Sequence, residues 1–150
     1  MSERGYRGLD IYQLAHKLAV DIHRMSMTLP KFEMYEEGSQ VRRSAKSVAA
    51  QIVEGYCLRK NKKEFVQYLN RAYASAHETV EHLDILFQTE SLSNKEEHDD
   101  LRAQYDLLCK MLFRFMEGVI GGHEKPGFVK EDSEEYHAAP TSRISHPTSR

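Results

Sequence analysis

Gln40-Val41-Arg42-Arg43-Ser44-Ala45-Lys46-Ser47-Val48-Ala49-Ala50-Gln51-Ile52-Val53-Glu54-Gly55 is the stretch that decides the fold. At about 100° per residue it reads as a helix with two distinct faces. Val41, Ala45, Val48, Ala49 and Ile52 share one arc, and Gln40, Arg43, Ser47, Gln51 and Glu54 share another. A surface helix needs only the apolar arc. An ordered polar stripe with Ala50 beside it suggests that the second face also meets protein. The simpler alternative is a solvated face. Gly55 is expected to stop the helix, as a left-handed residue just past its end. Arg43 is expected to be buried or half-buried and paired with Glu54 of another copy or with Glu78.

Outward from this helix the chain repeats the same period. Ile11, Leu14, Ala15, Leu18, Ile22, Met25 and Leu29 recur at three and four, before Pro30 closes the segment. Lys31 to Gly38 forms a connector anchored by Phe32 and Tyr35. Asn61-Lys62-Lys63-Glu64 has the form of a capping box. It opens a third helix with a stripe of Phe65, Leu69, Ala72, Ala76, Val80, Leu83 and Phe87. That helix is expected to run about 28 residues, or about 42 Å. Ser93-Asn94-Lys95-Glu96 is a second capping pattern. It starts a fourth helix carrying Leu101, Tyr105, Leu108, Leu112, Phe115 and Val119, closed by Gly118, Gly121 and Gly122. The expected fold is all-α: an antiparallel up-down four-helix bundle over residues 1–122. Helices one and three are expected to be longer than helix two. Residues 123–150 lose the period, carry three prolines and are expected to form a disordered tail.

Composition narrows the function classes. With 29% charged and 40% hydrophobic residues, the 150-residue chain has the make-up of one soluble domain with a polar tail. It has no apolar run near the roughly 18 residues of a spanning helix, so no membrane role is expected. Its first residues lack the plan of a signal peptide. Cys57 and Cys109 have no metal-type spacing, which fits a reduced, cytoplasmic protein. The net charge of −2 conceals an asymmetry. Residues 1–63 carry 12 Lys/Arg against 7 Asp/Glu, and residues 64–122 carry 5 against 11.

No catalytic or metal motif emerges, and no cofactor is expected. His77-Glu78-Thr79-Val80-Glu81-His82 looks like a zincin helix, but that motif needs its histidines four apart on one face. Five apart, they diverge by about 140°. The Glu-x-x-His spacing of di-iron bundles occurs once, Glu134 to His137, within the tail. His16, His23 and His98 fall among polar positions and read as surface residues. Cys57 follows a helix end and lacks the positive helix start that lowers a thiol pKa. A bundle oxidase or hydrolase is therefore set aside. The basic group is the stronger signal. Arg42, Arg43 and Lys46 lie along the second helix, and Arg59, Lys60, Lys62 and Lys63 crowd the following link. Clustered cations suffice for phosphate contacts, and Tyr56 and Tyr68 are placed to stack on unpaired bases.

Three segments carry a resemblance to a family. They are Leu9-Asp10-Ile11-Tyr12-Gln13-Leu14-Ala15, the Gln40–Gly55 helix, and Arg59 through Glu78 with Lys62-Lys63-Glu64-Phe65 inside it. Taken in order, over about residues 8–120, the chain resembles the four-helix-bundle family of 23S rRNA intervening-sequence proteins. It is similar also to the accessory variability determinant of diversity-generating retroelements. It departs from the pattern with Ala49 and Gln51 in place of proline and asparagine, and Ala74 in place of glycine; without the proline, helix two should be straighter. The resemblance implies a bundle that assembles as a ring, a homopentamer. It further implies binding of structured RNA or DNA, or of a protein acting on nucleic acid. Two function classes follow: a non-catalytic nucleic-acid-binding adaptor, and a protein–protein scaffold without direct nucleic-acid contact. In either, Gln40, Arg43, Ser47, Glu54, Gly55 and Glu78 are the expected structural or interface residues.

Overall fold

The computed structural model describes residues 5–122. The tail expectations, including Glu134, His137 and the other tail histidines, lie outside the described residues. A 3-10 turn at Gly5–Gly8 leads into five helices: α1 (Asp10–Ser26), α2 (Lys31–Met34), α3 (Glu37–Cys57), α4 (Lys62–Gln88) and α5 (Lys95–Gly122). Among the described residues there is no strand, and no helix is long and apolar enough to cross a membrane.

The four long helices form an up-down bundle in which every neighbouring pair runs antiparallel. On α3 and α4, Glu37 meets His82, Ser44 meets Thr79, and Ser47 meets Ser75. On α4 and α5, Lys62 reaches Ile120, Phe65 packs on Phe115, and Asp84 meets His98 and Arg102. In each series one number rises as the other falls. Lys17 of α1 touches Gln104 of α5, which closes the square.

The apolar stripes meet in one core. Ile11, Leu18, Ile22, Val41, Val48, Ile52, Phe65, Leu69, Leu83, Tyr105, Leu108 and Leu112 lose essentially all exposure. Asn61 caps α4 by accepting the Glu64 amide at 3.1 Å, as its sequence requires. At α5 the cap is Asn94, which accepts the Glu97 amide at 2.9 Å, one residue beyond the expected Ser93.

Several expectations are corrected. Gly55 does not end α3, which continues to Cys57. Its role is close approach: a Cβ there would lie 2.9 Å from Tyr68 Cβ on α4. Helix one is shorter than helix two, 17 residues against 21, because the chain turns at Met27 before reaching Pro30. On α4 the stripe ends on buried Leu86, and Phe87 is half-buried against His98. The connector contains one further helical turn, α2, with Phe32 and Tyr35 exposed and Glu33 buried.

Candidate nucleic-acid interface and the polar end

The folding pattern converts a charge asymmetry along the chain into one along the bundle axis. A plane through the Ser44–Thr79 and Lys17–Gln104 contacts divides the molecule in two. One half comprises residues 21–43 and 78–104, with 12 Asp/Glu against 6 Lys/Arg. The other comprises residues 5–20, 44–77 and 105–122, with 5 against 10. The bundle therefore has an acidic end and a basic end.

At the basic end the sequence-predicted cations divide by what they do. Lys60 and Lys63 are exposed. The Arg59 guanidinium lies 4.0 Å from the Tyr56 ring centroid and donates to the Tyr56 carbonyl at 3.1 Å. Lys62 donates to the Ile120 carbonyl at 2.7 Å, satisfying an acceptor near the end of α5. Tyr56 is buried, edge-on to Tyr6 at 6.5 Å between centroids, so it is not a stacking platform. Tyr68 is half-buried, with the Arg71 guanidinium 5.0 Å from its ring centroid.

Along α3 the adjacent arginines have opposite fates. Arg42 is half-buried and donates to Ser26 Oγ and to the Met34 carbonyl, both at 2.9 Å. It thereby ties the end of α1 and the short α2 to α3. Arg43 is exposed and donates to Gln40 Oε1 at 2.7 Å. Within this chain it therefore meets neither Glu54 nor Glu78, which are both exposed. Glu78 lies instead against His82. The polar stripe is graded: Gln40, Arg43 and Glu54 face outward, whereas Ser47 and Gln51 are half-buried beside Ser75 of α4. Lys46 is exposed on the side of α3 that faces α1.

Sequence reasoning missed the network at the acidic end. His98, expected at the surface, is 7% exposed. Its Nε2 lies 2.9 Å from Asp84 Oδ1, its Nδ1 lies 3.0 Å from Asp99 Oδ1, and its ring stacks on Phe87 at 4.4 Å. Arg102 donates to both Asp84 oxygens. The hydrogen bond from Lys95, then that from His98, holds the Asp99 carboxyl below its ordinary range. His82 repeats the arrangement between Glu37, at 2.7 Å, and Glu78, at 3.2 Å. Buried Glu33 accepts from Ser91 Oγ at 2.7 Å and from the Glu37 amide at 3.2 Å. A signal for His98 was present: it falls three before Leu101 and seven before Tyr105, on the core stripe of α5.

These features define a class, a four-helix bundle whose charge is separated along its axis. Among the described residues no group of three or more His, Cys, Asp or Glu is placed to hold a metal ion. The family model for the 23S rRNA-intervening sequence protein matches residues 7–114, and the chain belongs to that family. No curated protein matches the chain.

Proposed function

We propose that the protein is a non-catalytic, homo-oligomeric adaptor of the cytoplasm that contacts structured nucleic acid with its basic end. The observation that carries the reading is the separation of charge along the bundle. The exposed Lys60 and Lys63 ammonium groups stand at one end, beside Arg59 and Lys62. Phosphate contacts supply most sequence-independent affinity and need clustered cations on a firm support. The Asn61 cap and the Lys62–Ile120 bond give that support. Assembly as a pentamer, which the family resemblance implies, would gather five basic ends into one rim. The matched family carries the description 23S rRNA-intervening sequence protein, which is compatible with a nucleic-acid setting.

One observation favours a second reading, a protein scaffold without direct nucleic-acid contact. Phe32 and Tyr35 are 69% and 77% exposed at the acidic end, where nucleic acid would be repelled. Exposed aromatic pairs suit protein interfaces. Crosslinking in cells, with identification of both RNA and protein partners, separates the two. Recovery of RNA joined to peptides around Lys60 and Lys63 supports the adaptor. Recovery of protein alone supports the scaffold.

A further inference from the structure

A groove of about 550 Å³ runs between α1 and α3. Ala19, Val20 and Ala49 are its apolar lining, and the short alanine side chains leave the depression between the two helices unfilled. Arg24 and Lys46 stand over it, His16 and His23 complete the lining, and no carboxylate is among the lining residues. Apolar floor and cationic rim together call for a ridge that is apolar along its crest and acidic at its sides.

Such a ridge lies on α5 of the same chain. Ala103 is exposed and Leu107 is half-buried, four residues apart on one line of the helix. Asp100 and Asp106, both exposed, flank them. The two features lie at similar heights along the bundle: Lys17 of α1 donates to Gln104 of α5, between the levels of His16 and Val20 on one side and of Ala103 and Asp106 on the other. A neighbouring copy can then present its ridge to the groove by rotation about an axis along the bundle, with little shift in height. We infer that the α5 ridge of one copy seats in the α1–α3 groove of the next, with Lys46 facing Asp106.

This inference rests on the homo-oligomer reading and specifies its contact. The interface is heterologous, because different surfaces of the two copies meet, and it closes into a ring when the rotation divides the circle. It also removes Lys46 from the cations available to nucleic acid, leaving the end cluster for that purpose.

Charge exchange tests it. Lys46→Glu and Asp106→Lys are surface changes, and circular dichroism verifies that each variant is folded. By sedimentation velocity, each single variant is expected to dissociate at concentrations at least tenfold above those at which the wild type does. The double variant carries both reversals, so every groove again meets a ridge of opposite charge, and it is expected to regain the wild-type size. A monomeric wild type would overturn both the inference and the homo-oligomer reading. An oligomer unaltered by either single reversal would overturn the inference alone, as would a double variant that fails to reassemble.

Discussion

Gly55 of α3 sits against Tyr68 of α4 so closely that a methyl group at 55 would lie 2.9 Å from Tyr68 Cβ and 3.3 Å from Phe65 Cδ1. Tyr68 Cβ is fixed to the helix backbone and cannot swing away, so the helices themselves must part. Gly55→Ala gains helix propensity but overpacks, and is expected to destabilise by about 1–3 kcal/mol. At Gly118, where no atom lies within 4 Å of a built Cβ, the same change is expected to stabilise by about 0.5–1 kcal/mol. Urea denaturation of the two variants checks the contrast. Equal effects would show that α3 and α4 do not approach at Gly55.

Arg42 and Arg43 supply a second comparison. Removing Arg42 takes the charged donor from the Met34 carbonyl and from Ser26 Oγ, which keeps only its bond to the His23 carbonyl, and so unties the turn that joins α1 to α3. Hydrogen bonds from a charged donor are each worth about 1.5–3 kcal/mol, so Arg42→Ala is expected to cost at least about 2 kcal/mol. In the isolated chain Arg43→Ala removes one exposed contact to Gln40 and should cost about 0.5 kcal/mol or less. Thermal melts at low protein concentration, where assembly contributes least, measure the difference.

The alkaline limb of stability should trace to the middle of α5. Burial, with a smaller effect of Asp106, pushes the Cys109 thiol up to about 12 from an ordinary value of 9.0. Burial raises Tyr105 as well, with Asp21 and Cys109 adding to it. A folded-state pKa above the unfolded value means that the native chain holds its proton more tightly. The associated stability is complete below pH 9 and is lost as pH rises toward 12. Tyr105 Oη is buried and makes no hydrogen bond to the described residues. Tyr105→Phe is therefore expected to stabilise at neutral pH, by up to about 1–3 kcal/mol, and to flatten the decline above pH 9. Denaturant midpoints from pH 7 to 11 test both effects. A loss of stability at neutral pH would show that the hydroxyl is satisfied.

The thiols should also differ in reactivity. Cys57 is exposed and Cys109 is buried. One equivalent of a maleimide reagent is expected to couple quickly under native conditions, at Cys57, and the second only after denaturation. Peptide mapping identifies the site. Rapid coupling at Cys109 would mean that the α4–α5 seam opens readily.

The helices were legible in the sequence because core burial imposes a 3.6-residue period whatever surrounds it. Ile11 through Met25, Phe65 through Leu83 and Leu101 through Val119 all follow it, and Asn61 marked one helix start to the residue. What could not be read depends on neighbours that the period does not specify. Arg42 and Arg43 are adjacent, and only the position of α2 decides which of them is a tie and which faces outward. Gly55 looked like a helix stop because a close approach of α4 leaves no mark on α3 alone. The Asp84–His98–Asp99 arrangement joins α4 to α5 across a loop, so its polarity in the sequence suggested solvent. Of the basic group, Arg42 and Arg43 fall in the acidic half of the bundle, and the Tyr56 and Ile120 carbonyls that engage Arg59 and Lys62 emerge only in the fold.

The salt dependence of binding to a structured RNA hairpin tests the central claim most directly, comparing the wild type with Lys60→Ala/Lys63→Ala. Each phosphate contact contributes about 0.9 or less to the slope of log affinity against log salt concentration. The wild type should bind with a steep negative slope, and the double variant should bind more weakly with a slope shallower by about 1–2. A wild type that does not bind, or a double variant with affinity and slope unchanged, would contradict a nucleic-acid interface at the basic end.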